Sequence, residues 1–196
     1  METLLAIVAS YLIGSIPIGV LISRTKGVNI REHGSGNIGA TNVWRTLGPV
    51  PGIIVLLLDM SKGVAAVLIG RHFGGTETEL MAAFGALCGH SWSIFLTFKG
   101  GKIVATGAGV LLAISPAATL VALVVLLTTV GISRYVSLGS ILAAVSVPIS
   151  LYLLHMDGLY VLFGVLLMIF VIYKHRANIE RILAGTEFKV GKGRRS

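Results

Sequence analysis

The chain has 196 residues, of which 55% are hydrophobic and 12% charged, with 16 Lys and Arg against 8 Asp and Glu. In soluble domains about a quarter of residues are charged, so this composition, with a mean hydropathy of +0.90, excludes a soluble enzyme and a disordered regulator. The formal charge of +8 belongs, in a chain this apolar, to cytoplasmic loops rather than to DNA binding; the expected partner is a lipid bilayer, with no nucleic acid.

A membrane-crossing helix needs roughly 20 mostly apolar residues. The N-terminus turns apolar at Leu4 without the basic stretch of a cleavable leader, so a retained first span is placed at 3–23. Runs bounded by breakers add spans at 50–70, 79–97, 102–114, 116–132, 138–155 and 158–174. The fold class is thus an all-α integral membrane protein, a bundle of about seven transmembrane helices. The run at 102–114 is too short to cross a ~30 Å hydrocarbon layer alone, which leaves a tilted, partial or re-entrant helix open. The single Cys88 permits no internal disulfide and reads as a buried structural thiol.

Seven spans put the termini on opposite sides and give each loop a face. One face receives Arg24, Lys26, Arg31, Arg45, Lys99, Lys102, Arg134, Lys174, Arg176, Arg181, Lys189, Lys192, Arg194 and Arg195; the other receives Arg71 alone, and Lys62 lies within a span. Because basic loops stay in the cytoplasm, the N-terminus is expected outside and the C-terminus inside. The chain then forms one domain over 1–196, ending in a basic, solvated or headgroup-binding tail from about residue 189.

The cytoplasmic stretch GVNIREHGSGNIGATNVWRTLGP at 27–49 is the longest non-apolar segment before that tail. Gly34, Gly36 and Gly39, mixed with Ser35, Asn37, Thr41 and Asn42, form a small-residue loop whose backbone N–H groups can turn toward an anion. A helix starting at Ala40 adds its positive end, and Arg45 adds charge. Taken alone, the loop stands at even odds with a tight turn or surface connector. Two more cationic corners on the same face, Phe98-Lys99-Gly100-Gly101-Lys102 and Lys174-His175-Arg176-Ala177-Asn178, favour one shared phosphate site. Each could also serve as snorkelling or stop-transfer charge.

Inside the spans, Asp59 and Lys62 share a helical face and read as a structural pair, with a proton or ion path as the sharper alternative. His90 divides evenly between helix packing and a substrate-side role. Ser137, Gly139 and Ser140 offer small hydroxyls beside Arg134. No Walker loop, paired carboxylates for Mg2+, His/Cys cluster or G-x-S-x-G elbow is present. No metal and no cofactor is expected. A small phosphate or organic-anion transporter and a structural lipid-binding subunit remain as rival readings.

Three ordered segments carry a family resemblance: SGNIGATNVWRTLG at 35–48, GHSWSIFLTFKGGKIVATGAG at 89–109 and HRANIERILAGTE at 175–187, joined by DMSKG at 59–63 and RYVSLG at 134–139. Together they resemble the signature motifs of the bacterial acyl-phosphate:glycerol-3-phosphate acyltransferases, the PlsY family, essentially from end to end. The resemblance implies an inner-membrane enzyme with its site at the cytoplasmic side. It would move a fatty acyl group from acyl phosphate to the 1-position of glycerol 3-phosphate, the first acylation of phospholipid synthesis. Neither acyl-CoA nor acyl carrier protein would be the direct donor, and the oligomeric state is left open, a monomer being acceptable.

Carried onto this sequence, the motifs assign Ser35, Thr41, Arg45, Lys102, His175 and Asn178 as the catalytic group. Gly36, Asn37, Gly39, Ala40, Asn42 and Ser140 are assigned to substrate binding. The 35–42 loop would cradle the acyl phosphate or the reacting carbonyl, with Ser35 and Arg45 also near the acceptor phosphate. Lys102 is the strongest single cation, and Ser140 a lesser contact to the acceptor phosphate. His175 and Asn178, three apart on one helical face, would orient the acceptor hydroxyl or donate to developing charge. The hydroxyl proton would pass to a phosphate oxygen of the donor or to His175. Lys99, Arg176 and Arg181 are left as headgroup or structural charges.

Overall fold

The computed structural model describes residues 1–191, so Lys192, Arg194 and Arg195 of the expected basic tail lie outside the described residues. The regular structure of the described residues is entirely helical, and the chain divides into two compact units, Met1–Ile114 and Ser115–Ser196. The first holds α1 (Glu2–Ser15), α2 (Ile18–Arg24), α3 (Ala40–Leu47), α4 (Pro49–Phe73), α5 (Thr76–Ser91) and α6 (Val104–Ile114). The second holds α7 (Pro116–Ser133), α8 (Val136–Leu153), α9 (Gly158–Lys174) and α10 (Arg176–Leu183).

Among the described residues, four segments are long and apolar enough to cross a membrane: Glu2–Arg24, Pro49–Phe73, Pro116–Ser133 and Val136–Leu153. A fifth arises if α9 and α10, bent by 57°, count as one. The expected span at 3–23 is interrupted at Pro17, which has no N–H to continue the ladder and forces Ile16 into an extended conformation. The expected span at 79–97 stops at Ser91, and an irregular segment runs from Trp92 to Ile103 around a short 3-10 turn at Ile94–Leu96. The segment expected at 102–114 contracts to the 11 residues of α6, so Lys102 precedes this helix rather than lying in it.

Helices in lipid gain little from hydrophobic burial and are held by close packing through small residues. In the first unit α4 meets α6 where Gly63 faces the Thr106 carbonyl and Gly109 faces the Met60 carbonyl, and a Cβ at either glycine would overlap the opposite backbone. The α1 and α5 backbones approach as closely at Gly14 and Gly89. In the second unit the loop after α7 turns through Arg134 in the left-handed region, and α8 carries Pro148 against Gly164 of α9. Asp157 caps α9 by accepting from the Leu159 N–H at 2.9 Å.

Candidate active site

In the first unit the glycine-rich loop ends where α3 begins at Ala40, as the sequence leads one to expect. Ile30, Ile38 and Val43 anchor it, packing into one apolar cluster with Val20 of α2 and Val55 of α4. Asn42 holds it from inside. Its Oδ1 accepts the Ser35 N–H at 2.8 Å, while its Nδ2 faces the carbonyls of Ile30, His33 and Asn37 at 3.2, 3.0 and 2.8 Å. Gly34 at φ 58° and Gly36 at φ 70° supply the left-handed turns between these bonds.

Asn42 is 1% exposed and its donors and acceptor are engaged with the loop. It gives the loop its shape. The Ser35, Thr41 and Arg45 side chains are exposed, and Gly36, Asn37, Gly39 and Ala40 are half-buried. The N–H groups of Ala40 and Thr41, at the first turn of α3, have no hydrogen-bond partner among the described residues. Such donors, on the positive end of a helix, attract an anion. Asn42→Ala is expected to lower stability by about 1–3 kcal/mol, the cost of buried polar groups losing partners. Hydrogen exchange over 33–42 together with thermal unfolding in detergent checks this: faster exchange at the Ser35 amide is expected, and unchanged protection there removes Asn42 from the loop's frame.

Lys102 comes from the irregular 92–103 segment and is half-buried. Three non-glycine residues of that segment sit in the left-handed region, Thr97 at φ 51°, Phe98 at 60° and Ile103 at 60°. Each costs about 1–3 kcal/mol and persists only where the surroundings over-determine it. Here the Gly100 and Gly101 N–H groups donate to the Ser91 and His90 carbonyls at 3.0 and 2.9 Å, the Phe98 N–H donates to the Ser93 carbonyl at 2.9 Å, and Ile103 is fully buried. Arg31 Nη2 donates to the Lys99 carbonyl at 2.6 Å, tying this segment to the loop before α3. The structure thus brings Ser35, Thr41, Arg45 and Lys102 into one unit, in which the two glycine-containing segments are joined. A nearby groove of about 360 Å³ is lined by Ile16, Pro17, Val20, Leu21, Arg24, Phe95 and Leu96.

In the second unit Ser140, His175 and Asn178 are all buried. Ser140 Oγ donates to the Val136 carbonyl at 2.9 Å within α8. His175 stands between α9 and α10, and its Nδ1 lies 2.8 Å from the Val171 carbonyl. A carbonyl only accepts, so the neutral ring carries its proton on Nδ1 and Nε2 is its acceptor nitrogen. Asn178 Nδ2 donates to Glu187 at 2.7 Å, where Ser137 Oγ at 2.9 Å and Arg181 at 2.7 Å also converge.

Glu187, the last residue of the third motif, is the hub of this cluster, and the sequence reading gives it no role. Burial pushes its carboxyl up, but the hydrogen bonds from Asn178, Arg181 and Ser137 outweigh burial and hold it below the ordinary carboxylate value. A depressed folded pKa contributes stability that is present above the unfolded value of about 4.3 and lost as pH falls through the folded value. Acidification below about pH 4 is therefore expected to raise hydrogen exchange across 176–190, and Glu187→Gln to flatten that dependence. Arg181 is a structural charge in this arrangement. Arg176 stacks on Tyr173 at 4.6 Å, and Lys189, where the expected tail begins, lies 5.0 Å over Tyr135.

A family model described as glycerol-3-phosphate acyltransferase matches residues 4–185. The chain belongs to the glycerol-3-phosphate acyltransferase family. A family relative from Desulforamulus reducens is 55% identical over 97% of this chain and 96% of its own, and one from Desulforudis audaxviator 52% over 95% of each. Both carry the name glycerol-3-phosphate acyltransferase. The crystal structure of PlsY (YgiH), an integral membrane glycerol 3-phosphate acyltransferase, in its glycerol 3-phosphate form superposes with a TM-score of 0.94 at 38% identity, covering 97% of this chain and 96% of that one. Its lysophosphatidic acid form gives 0.92 at 37%.

Proposed function

We propose that the chain transfers a fatty acyl group from acyl phosphate to the 1-hydroxyl of glycerol 3-phosphate, releasing 1-acylglycerol 3-phosphate and inorganic phosphate. The observation that carries this reading is the anchored 34–42 loop delivering donors to the positive end of α3 beside the exposed Arg45. Membership in the family and the activity named for its relatives support it. An acyl phosphate is an activated mixed anhydride, so the enzyme needs no nucleophile of its own. The glycerol oxygen forms a bond to the acyl carbon, the carbon–oxygen bond to phosphate breaks, and the hydroxyl proton leaves with a phosphate oxygen or passes to His175 Nε2.

Binding, alignment and charge stabilisation are the protein's share of the work. Ser35, Gly36, Asn37, Gly39, Ala40 and Thr41 hold the acyl phosphate or the carbonyl through backbone and hydroxyl donors, in a loop shaped by Asn42. Arg45 and Lys102 neutralise phosphate. His175 and Asn178 orient the acceptor hydroxyl, and Ser140 is a lesser contact to the acceptor phosphate. The apolar groove ending at Arg24 takes part of the acyl chain. The chain acts as a single acyltransferase domain, with seven segments in the inner membrane, the N-terminus outside and the chemistry at the cytoplasmic side. The distribution of Lys and Arg supports that sidedness.

The test is phosphate release by the purified protein in detergent with palmitoyl phosphate, with and without glycerol 3-phosphate, in EDTA and without acyl-CoA. Release that requires the acceptor, with lysophosphatidate formed in equal amount, is expected. Well-folded protein that releases nothing above the spontaneous rate overturns the reading and moves the question to anion flux in proteoliposomes.

A further inference from the structure

Three buried ionisable side chains cluster together in the first unit outside the residues assigned to substrate. Lys62 Nζ is 2.7 Å from Asp59 Oδ1 and 3.3 Å from His90 Nδ1, while the Asp59 and His90 atoms are 3.7 Å apart. All three are 5% exposed or less. Lys62 Nζ also reaches the Gly14 and Ile16 carbonyls at 3.2 and 3.0 Å, at the break before Pro17, where the Ile18 N–H turns to the Ile16 carbonyl. Buried ions in a membrane segment are costly and are retained where they serve a purpose.

The far side of His90 shows what the group supports. An ammonium only donates, so Lys62 holds Nδ1 as the acceptor and places the imidazole proton on Nε2. That edge of the ring lies under Gly101: a Cβ there would overlap Nε2, and a Cβ on Gly100 would overlap the His90 carbonyl. The Gly101 N–H bonds the same carbonyl at 2.9 Å. The corner that carries Lys102 therefore rests on His90, and His90 is held by a charge pair on α4. Strained residues at Thr97, Phe98 and Ile103 flank this corner, and strain of that kind needs a rigid support to persist.

We propose that Asp59, Lys62 and His90 form a buried polar post that sets the height and direction of the Gly100-Gly101-Lys102 corner, making them positioning residues for the Lys102 ammonium. This rests on the acyltransferase reading, in which Lys102 binds phosphate. The post also explains why two glycines precede that lysine: any side chain there would lift the corner off His90.

The experiment is a double-mutant cycle, read as kcat/KM for glycerol 3-phosphate at saturating palmitoyl phosphate. Gly101→Ala and His90→Ala are each expected to lower it about tenfold, and the double variant to lie within about twofold of His90→Ala, because removing the ring makes room for the new methyl. Gly100→Ala meets backbone, so its loss multiplies with that of His90→Ala. A structural role elsewhere would not separate two adjacent glycines in this way. If the Gly101→Ala and His90→Ala losses multiply, or His90→Ala keeps wild-type kcat/KM, the proposal is overturned.

Should His90→Ala fail to give monodisperse protein, the paired variant Asp59→Asn/Lys62→Met removes both charges together and is expected to lower kcat/KM by a similar factor. A wild-type value in that variant overturns the proposal as well. A wild-type chain with no acceptor-dependent release overturns the acyltransferase reading and this proposal with it, whereas intact wild-type turnover with multiplying losses overturns the proposal alone.

Discussion

Lys102→Ala is expected to lower turnover about 100-fold or more, as removal of a single donor to developing charge commonly does, while the protein remains folded and monodisperse in detergent. The side chain is half-buried at the surface of the 92–103 segment, whose shape is set by the buried Ile103 and by backbone bonds at Phe98, Gly100 and Gly101. Truncation removes charge while those backbone bonds stay in place, so under the proposed acyltransferase function the loss is expected in phosphate recognition. Lys102→Arg keeps the charge but exchanges a compact ammonium for a planar fork, and only partial recovery is expected. Steady-state phosphate release at saturating palmitoyl phosphate measures both. Wild-type turnover in Lys102→Ala takes this residue out of the site.

Asn178→Asp is the second large effect, and it strikes stability and activity together. Nδ2 now donates to Glu187 at 2.7 Å in a pocket where Asn178 is 5% exposed. The substitution replaces that donor by a second carboxylate at contact distance, and two like charges this close cannot both stay ionised without a large penalty. A buried charge left without its partner costs about 3–5 kcal/mol, enough to cut activity by about 100-fold through loss of the ordered 175–187 segment alone. Asn178→Ala removes the donor without adding charge and is expected to cost less. The two variants also part company on acidification. Repulsion between the introduced carboxylate and Glu187 is relieved as the pair takes up a proton, so the gap between Asn178→Asp and wild type narrows toward low pH in thermal unfolding; a gap that stays constant rules out charge repulsion as the cause.

Much of the fold was legible because membrane helices announce themselves by apolar runs, and the helix starts at Pro49, Pro116 and Gly158 follow breakers visible in the sequence. The start of α3 at Ala40 was legible for a related reason, since Gly39 marks the change from loop to helix. What misled was reading apolar length as helical length. Trp92 to Phe98 is as apolar as a helix end, yet the chain there leaves the helix so that Gly100 and Gly101 can pack on His90. The break at Pro17 lies inside an apolar run, and hydropathy alone does not register it.

The candidate site residues are legible in the sequence as residue chemistry and not as geometry. Asn42 stands among small polar residues that look alike in sequence. Only the fold shows that it spends itself on Ser35, Ile30, His33 and Asn37. Glu187 is equally opaque, since an acid at the far end of the motif that begins at His175 has no periodic relation to Ser137, which it reaches across the second unit. Such bonds are made by loops, and loops carry no period to detect.

The pairing of Asp59 with Lys62 also bears on how the protein is made. A helix that enters the bilayer with one carboxylate or one ammonium near its middle is opposed by about 2.5–3.5 kcal/mol on the scale of cellular insertion. Here the two ions are three residues apart on the same helix, at 2.7 Å, so they can neutralise one another as soon as that helix forms. The helix can leave the insertion machinery with its middle neutralised before His90 has been synthesised. The Gly14 and Ile16 carbonyls at the break before Pro17 precede it in the chain, and they gain the Lys62 ammonium as a donor when that residue arrives beside them. The order of residues along the chain is thus also a workable order of assembly.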